Sequence, residues 1–272
     1  MSIMTSLTRM WLTRSAKPFL FQNEYDQVLP FAQCRDLGLY VHIPFCRQLC
    51  GFCPYCRELY SQEKCVSYMD ALIREIHMVG GQVPGQKPVT RLYFGGGTPA
   101  LAAERLQEVI AALGEHFSIT QGIGVELHPD NVTVPVLQTL RDAGVTKVSI
   151  GVQSFQEKYQ RILGRAGVDR AALAEALAAV PFETVSMDLI FALPGQRFAD
   201  LRADIDAAFR SGANHVAIYP FIDFSFTSGA VPPMGRRQKR ALLDSITRYC
   251  LEQGYTRSSI WTFSSGPEAR YS

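Results

Sequence analysis

The sequence predicts an α/β protein built on a parallel β-sheet, and three observations indicate it. Short runs of β-branched and aromatic residues alternate with longer amphipathic runs between residues 37 and 253. The short runs are apolar almost throughout, as in strands that helices cover on both faces. Glycines and polar residues follow these runs, where parallel strands carry functional groups. The combination is typical of a β/α barrel or an open doubly wound sheet.

Six strands and six helices are predicted in alternation. The apolar runs predict strands at 37–43, 90–94, 123–127, 147–152, 184–191 and 215–221. Apolar residues recurring at a helical period predict helices at 63–79, 103–117, 134–143, 170–180, 198–211 and 237–253. Right-handed crossovers would lay each helix back over the sheet. No repeat or linker interrupts this stretch, so 37–253 is predicted to be one core domain.

The two ends of the chain carry weaker patterns. Residues 1–36 are predicted to be an N-terminal extension that packs against one end of the sheet. Residues 254–272 are predicted to begin a truncated C-terminal region, because 255–263 resembles the start of another strand that nothing completes. A chain of this kind is expected either to be a short version of a longer protein or to pair its tail with something else.

Composition and charge exclude several classes of function. The 272 residues are 47% hydrophobic and carry 27 basic against 25 acidic side chains, which does not favour nucleic-acid binding. Arg9, Arg14 and Lys17 interrupt the apolar residues of the N-terminus, and no apolar run approaches the roughly 18 residues of a membrane span. Seven cysteines, an odd number, fit a secreted disulfide framework badly. We therefore expect a cytoplasmic protein with no membrane partner.

A cluster of cysteines follows the first predicted strand. Cys46, Cys50 and Cys53 have the spacing C-x3-C-x2-C, and Cys56 comes three residues later. Several thiolates on one loop can bind one metal centre, whereas isolated free cysteines behave as small apolar residues. Zinc sites pair two separated knuckles and bacterial ferredoxins space their ligands differently, so both alternatives are disfavoured. Three cysteines on an iron–sulfur cluster would leave one iron for a small molecule.

Five motifs together resemble the radical S-adenosylmethionine enzymes. The first is YVHIPFC at 40–46, which continues into the cysteine spacing and is similar to the subgroup of oxygen-independent coproporphyrinogen III oxidases and their haem-chaperone relatives. The others, in family order, are YFGGGTP at 93–99, VELHP at 125–129, SIGVQSF at 149–155 and MDLIFALP at 187–194. The resemblance covers about residues 37–221 and implies a partial (β/α)6 barrel of the TIM-like type.

The resemblance also implies the cofactors. Cys46, Cys50 and Cys53 would ligate a [4Fe-4S] cluster, and S-adenosylmethionine would chelate the fourth iron. One electron from an external donor such as flavodoxin or ferredoxin would then break the sulfonium C–S bond. The resulting 5′-deoxyadenosyl radical abstracts hydrogen from carbon, while the protein orients and shields it. The expected substrate is a small molecule, with a tetrapyrrole as the nearest example.

The residues expected to contact S-adenosylmethionine lie in the predicted strands or in the loops that follow them. Glycines let the backbone approach a ligand closely, which suits the turn formed by Gly96, Gly97 and Thr98. Polar side chains matching family positions suit the ribose, carboxylate and amine of the ligand; they are Glu126, Gln153, Arg165 and Asp188. The adenine and cluster contacts implied by the resemblance are Tyr40, Phe52, Pro54 and Ile222.

Cys56 is a departure from the family pattern. Coproporphyrinogen oxidases carry an extra cysteine two residues after the third ligand, whereas here the interval is three. Cys56 is therefore a candidate catalytic thiol, redox-active or hydrogen-donating, with a buried structural cysteine as the alternative. His42 is expected to hydrogen-bond near the cluster rather than to ligate it. His77, His116 and His215 carry no signal of function in the sequence.

Several functions agree with these motifs. The first is an enzyme that cleaves S-adenosylmethionine reductively and oxidatively decarboxylates porphyrinogen propionates. A haem-binding chaperone of the same superfamily would keep the cluster and deliver haem instead. A radical methyltransferase with another substrate has nearly the same core motifs. A truncated, inactive relative is the remaining alternative.

Overall fold

The computed structural model describes residues 29, 31–222 and 234–266. Its strands are β1 (Gly38–Ile43), β2 (Phe45–Cys46), β3 (Glu58–Leu59), β4 (Lys87–Val89), β5 (Arg91–Gly96), β6 (Phe117–Ile119), β7 (Ile123–Leu127), β8 (Lys147–Gln153), β9 (Thr184–Phe191), β10 (His215–Pro220), β11 (Thr256–Arg257) and β12 (Thr262–Ser264). Its α-helices are α1 (Gln62–Gly80), α2 (Ala103–His116), α3 (Val134–Asp142), α4 (Glu157–Ile162), α5 (Arg170–Ala179), α6 (Phe198–Arg210) and α7 (Arg236–Glu252). Two 3-10 turns lie at Pro99–Ala102 and Pro129–Asn131.

The main sheet has eight strands in the order β1-β5-β7-β8-β9-β10-β12-β11. The first six are parallel, and each pairs with its successor in the alternating series of strands and helices. The predicted α/β class with a parallel sheet is confirmed, as are the six core strands and the six helices, with shifts of a few residues at their ends. The carboxyl ends of the six strands therefore meet at one edge of the sheet.

Burial explains why the core strands were predictable. Seven of the eight residues of β9 are buried, because helices cover one face and side chains of neighbouring strands fill the other. The helices show an apolar stripe instead, as α1 does with Cys65, Met69 and Ile76. Fully buried Phe94, Met187 and their neighbours form one continuous core beneath the helices.

The segment after α7 differs from its prediction. Residues 256–264 form an antiparallel hairpin, β11–β12, rather than the start of a further strand. Strand β12 also pairs antiparallel with β10, so the hairpin extends the main sheet. Trp261 lies in the hairpin connection, where its carbonyl accepts a hydrogen bond from the Ile218 amide at 2.7 Å. The pairing of β12 with β10 depends on contacts between distant parts of the chain, which the hydrophobic pattern of residues 255–263 does not contain.

Short elements also escaped prediction. The strand pairs β2–β3 and β4–β6 are two or three residues long, and α4 has six residues, too few to show a period. The division into 1–36, 37–253 and 254–272 stays a prediction. Its outer parts, 1–28, 30 and 267–272, lie outside the described residues, as does 223–233. None of the helices in the described ranges has the length and apolar character needed to span a bilayer.

Candidate functional site

The cysteine loop is closed at its base by a small parallel sheet. Strands β2 and β3 pair Phe45 with Glu58 and Cys46 with Leu59. Backbone hydrogen bonds complete the closure, from Glu58 N to the Pro44 carbonyl at 2.8 Å and from Tyr60 N to the Cys46 carbonyl at 2.9 Å. The loop therefore leaves and re-enters the fold at one point, directly after the carboxyl end of β1.

Arg57 holds the interior of this loop. Its two terminal nitrogens donate to the carbonyls of Cys50, at 2.6 Å, and Cys53, at 2.5 Å. The Cys53 amide also donates to the Cys50 carbonyl, at 3.3 Å, which forms a tight turn between the two cysteines. Gln48 fastens the outer side of the loop through its amide nitrogen, 2.8 Å from the Gly164 carbonyl. The backbone carbonyls of Cys50 and Cys53 thus accept hydrogen bonds that do not involve the thiols.

The three thiols suit an iron–sulfur centre. Cys46, Cys50 and Cys53 are half-buried and form no disulfide. The Arg165 Nε donates to the Cys50 sulfur at 3.4 Å, and burial raises the pKa of the Cys46 thiol while the Thr98 hydroxyl, 4.0 Å from its sulfur, opposes the rise. Proteins hold iron–sulfur clusters with cysteine thiolates, and hydrogen bonds to the sulfurs and limited solvent exposure tune them. This donor set therefore fits the cluster that the motif implies.

The glycine turn after β5 runs against the root of the cysteine loop. Gly96 has φ +115°, and a Cβ there would lie 2.6 Å from the Cε1 of His42. A Cβ on Gly97 would lie 2.5 Å from the Phe45 carbonyl oxygen. The amides of Gly97 and Thr98 donate to the Ile43 and Phe45 carbonyls at 2.8 and 2.7 Å. Only glycine allows the two loops to approach this closely.

Two carboxylates near this edge of the sheet interact electrostatically. Glu126, on β7, accepts hydrogen bonds from the Tyr93 hydroxyl at 2.8 Å and from the Gly96 amide at 3.1 Å. Asp188, on β9, accepts from the Ser149 hydroxyl at 3.2 Å. Burial raises the pKa of Glu126 despite these bonds. Burial and then the charge of Glu126 raise the pKa of Asp188 to about 7. Asp188 can therefore gain or lose a proton near neutral pH.

The end of β8 is connected to the cysteine loop by Arg165. Besides its bond to Cys50, this guanidinium donates to the Gly151 carbonyl and lies 5.5 Å from the ring centroid of Phe52. Gln153 closes the same strand with φ +70°, next to a register shift between β8 and β9. A left-handed non-glycine residue at a strand end is uncommon and marks functional sites. The structure thus brings Arg165, Gln153 and the cysteines to one rim.

Aromatic residues surround this rim. The Tyr40 hydroxyl lies 3.0 Å from His42 Nδ1, and His42 Nε2 donates to the Cys56 carbonyl at 2.9 Å. His42 therefore hydrogen-bonds beside the cysteine loop, as expected. Phe52 packs against the buried side chains of Ile190 and Phe221.

The remaining predicted contacts are open to solvent. Pro54 and Cys56 are exposed, and Ile222 follows β10 with about half of its surface exposed. Exposure excludes the alternative that Cys56 is a buried structural cysteine. The contacts of all these residues with a ligand stay predictions.

Two tyrosines were missed by the sequence analysis. Tyr55 and Tyr219 are largely exposed, yet each interacts electrostatically with Asp188 and Glu126. Burial of its hydroxyl, followed by the charge of Asp188, raises the pKa of Tyr219 to about 12. The sequence signal for Tyr219 was a tyrosine near the end of the apolar run that forms β10. The signal for Tyr55 was its place between Cys53 and Cys56.

Comparisons with known proteins find a matching family and several relatives. Residues 40–208 match the Radical SAM superfamily. The chain is 35% identical over 210 residues to an anaerobilin synthase of Escherichia coli O157:H7, covering 75% of this chain and 47% of that protein. It is 30% identical over 209 residues to the heme chaperone HemW of Lactococcus lactis, covering 75% and 52%.

A solved structure shows the same architecture. The coproporphyrinogen III oxidase (HemN) from Escherichia coli, described as a radical SAM enzyme, superposes with a TM-score of 0.77 at 26% identity, over 86% of this chain and 57% of that one. The chain thus spans about half the length of the curated relatives it matches.

Proposed function

This chain belongs to the radical S-adenosylmethionine superfamily, and from that premise we propose that it is an enzyme that cleaves S-adenosylmethionine reductively and acts on a tetrapyrrole. One observation carries the proposal. Three half-buried thiols lie on a closed loop, with the Arg165 guanidinium beside one sulfur and two carboxylates on strands β7 and β9 of the same sheet. The tetrapyrrole is supported by the relatives of this chain, which include a coproporphyrinogen oxidase and a heme chaperone.

Cys46, Cys50 and Cys53 would hold a [4Fe-4S] cluster in this proposal. Bound together with S-adenosylmethionine, it supplies one-electron cleavage of the sulfonium and hydrogen abstraction from carbon. Arg165 places positive charge and a hydrogen-bond donor beside the Cys50 sulfur, which would bind the cluster. Arg57 keeps the turn between Cys50 and Cys53 fixed through their carbonyls, so the ligands are pre-positioned.

The strand ends would bind the remainder of S-adenosylmethionine. Glu126 and Asp188 present carboxylate oxygens to hydroxyl and ammonium groups, and Gln153 presents an amide. Asp188 has a raised pKa of about 7, so it can also hold a proton at its carboxyl oxygen and donate it to a ligand oxygen. The turn of Gly96, Gly97 and Thr98 allows close backbone approach. Flanking contacts to the adenine and the cluster are assigned to Tyr40, Phe52, Pro54 and Ile222.

The exposed aromatic rim suits a large, partly apolar substrate. Tyr40, Tyr55 and Tyr219 present rings at the edge of the site, with 58%, 69% and 47% of their surfaces exposed. Aromatic side chains pack against the pyrrole rings of a tetrapyrrole and also exclude water from the chemistry beneath them. Cys56 lies exposed on the same loop and is the candidate thiol for hydrogen donation or redox exchange.

The decisive experiment is an anaerobic assay of the reconstituted protein. Iron, sulfide, dithionite and S-adenosylmethionine are expected to yield 5′-deoxyadenosine, measured by liquid chromatography. Cys50→Ala is expected to lose the cluster and the product, whereas Cys34→Ala, outside the loop, retains both. A Cys50→Ala protein with a full, redox-active cluster would contradict the ligand assignment.

The substrate is tested in the same reaction. Added coproporphyrinogen III is expected to lose carbon dioxide from its propionates, as oxidative decarboxylation requires, and flavodoxin or ferredoxin is expected to replace dithionite as donor. Nucleoside without decarboxylation keeps the radical enzyme and redirects the search to other tetrapyrroles or to a methyl acceptor. Cys56→Ser separates the roles of that thiol, because a hydrogen donor is needed for turnover but not for cluster loading.

A heme chaperone is the second candidate function. Its support is the 30% identity to HemW over 75% of this chain. It predicts stoichiometric haem binding by the cluster-loaded protein and no decarboxylation. A haem titration followed at the Soret band, run beside the decarboxylation assay, distinguishes the two functions.

A further inference from the structure

We propose that this protein has a second metal site, for a zinc-type divalent transition ion, formed by His77, Glu115 and His116. His77 lies in the last turn of α1, and the other two residues end α2. One ligand atom from each of the three lies within 4.8 Å of the others. Within the described residues, this is the one group of histidine, cysteine and acidic side chains that meets this distance.

The distances match those of ligands sharing one ion. Nδ1 of His77 lies 3.2 Å from Nε2 of His116 and 3.7 Å from Oε2 of Glu115. Two nitrogens each about 2.05 Å from a tetrahedral zinc ion would be about 3.3 Å apart. The observed nitrogen separation is therefore close to the one a shared ion requires, and the carboxylate of Glu115 lies within 4.8 Å of both nitrogens.

The helices place His116 at this position. A Cβ on Gly80 would lie 2.3 Å from the Cγ of His116, so the imidazole packs directly on the backbone of α1. The two imidazole rings meet edge to face at 5.4 Å between centroids. On the other side, the His116 ring lies edge-on to Phe117, the first residue of β6. Gly80 thus allows the two helix ends to come close enough for both histidines to reach one ion.

The site is separate from the cysteine loop. Helices α1 and α2 end where the chain returns to the amino ends of the parallel strands, through β4 to β5 and through β6 to β7. The cysteine loop follows the carboxyl end of β1. Parallel strands place these two ends at opposite edges of the sheet. Metal at the histidines would therefore connect α1 to α2 without touching the cofactor site.

The donor set selects the class of ion. Two imidazole nitrogens and one carboxylate oxygen are preferred by zinc and its neighbours over magnesium or calcium, which take oxygen ligands. Three protein ligands leave a position for water in tetrahedral zinc sites. A hydrogen bond between the two imidazoles would give a similar nitrogen separation with no ion, so the test must measure metal.

The test uses the full chain without a histidine tag, in two backgrounds. One is the cluster-loaded protein, and the other carries Cys46→Ala, Cys50→Ala and Cys53→Ala, which removes the thiols that would also bind zinc. Each is dialysed against about 10 μM free Zn²⁺, a concentration suited to sites of this strength, and zinc and iron per chain are measured by mass spectrometry. We expect one zinc per chain in both backgrounds.

Matched variants identify the ligands. His77→Ala is expected to weaken zinc binding at least about 100-fold and Glu115→Gln about 10-fold, since even outer partners of a metal ligand change affinity by 10- to 100-fold. His128→Ala, the control, removes a histidine elsewhere and is expected to retain one zinc. Cobalt bound to the background without Cys46, Cys50 and Cys53 should show the strong visible absorption of tetrahedral coordination and lose it in His77→Ala.

Two results would overturn the proposal. One is less than a tenth of a zinc per chain, at about 100 μM free Zn²⁺, in the background without Cys46, Cys50 and Cys53. The other is zinc uptake that His77→Ala and Glu115→Gln leave unchanged. His77 has 43% of its side chain exposed, so its removal should not unfold the protein, and circular dichroism checks this.

Discussion

Gly96 is the residue at which a single methyl group should have the largest local effect. Its φ of +115° and the 2.6 Å separation of a Cβ from the His42 ring leave no room for a side chain. We predict that Gly96→Ala lowers the free energy of unfolding by about 2–4 kcal/mol, through backbone strain and overpacking. Urea unfolding of the cluster-free protein measures it.

Gly114 supplies the matched control. It lies in α2, and a Cβ there would meet nothing within 4 Å. Gly114→Ala is therefore expected to raise the free energy of unfolding by about 0.5–1 kcal/mol, because alanine favours helix and restricts the unfolded chain. Equal effects of the two substitutions would show that the turn at Gly96 is not constrained as described.

Asp188 should make the cluster-free protein less stable as pH rises. Its pKa is raised from 3.8 to about 7 in the folded state, so the folded protein retains a proton that the unfolded chain loses between these values. We predict that the contribution of Asp188 to the free energy of unfolding falls by about 2–4 kcal/mol from pH 4 to pH 7 and stays constant at higher pH. Asp188→Asn removes the ionisation. Unfolding curves of both proteins at pH 4, 5.5 and 7.5 should diverge with rising pH, and parallel curves would contradict the prediction.

At the scale of the element, the cysteine loop shows what a motif predicts and what it omits. The spacing of Cys46, Cys50 and Cys53 predicted a metal-binding loop after β1, because ligand identity and interval are local properties. The closure by β2–β3 and the clamp by Arg57 were not predictable. Two-residue strands have no period, and an arginine that bonds to carbonyls has no residue-specific partner in the sequence.

The hairpin β11–β12 allows a direct test of its place in the core. Phe263 is fully buried and its strand pairs with β10, whereas Ile260, in the connection, is 58% exposed. We predict that Phe263→Ala lowers the free energy of unfolding by about 3–5 kcal/mol, the usual effect of a large cavity. Ile260→Ala, the control, should change it by less than about 0.5 kcal/mol. Similar small effects for both would show that the hairpin is not part of the folded unit.

At the scale of the whole molecule, burial explains which parts of the fold could be predicted from the sequence. Strands such as β9 are apolar at nearly every position, and their alternation with helices predicts parallel neighbours. The carboxylates Glu126 and Asp188 followed from motifs at strand ends. The contact of His77 with His116 joins residues 39 apart on different helices, and Tyr219 on β10 interacts electrostatically with Asp188 on the adjacent β9. Such pairs depend on packing, so only the folded structure shows them.

The burial of His215 in the sheet predicts that the protein loses stability as the pH falls. It is buried at the start of β10, with Nδ1 2.8 Å from the Ser186 hydroxyl on β9, and burial lowers its pKa from 6.5 to about 4. Above pH 6.5 both folded and unfolded forms are neutral, so the stability from this group is fully present. As pH falls towards 4, the unfolded chain takes up a proton that the folded protein excludes, and stability is lost.

The expected loss is about 2–3 kcal/mol between pH 7 and pH 4.5. His215→Gln should remove this component, so the unfolding free energies of wild type and variant should converge as the medium becomes more acidic. Urea unfolding across this range measures the difference at each pH. A difference that stays constant from pH 7 to pH 4.5 would mean that the folded protein protonates His215 as readily as the unfolded chain does, which the burial of His215 on β10 opposes.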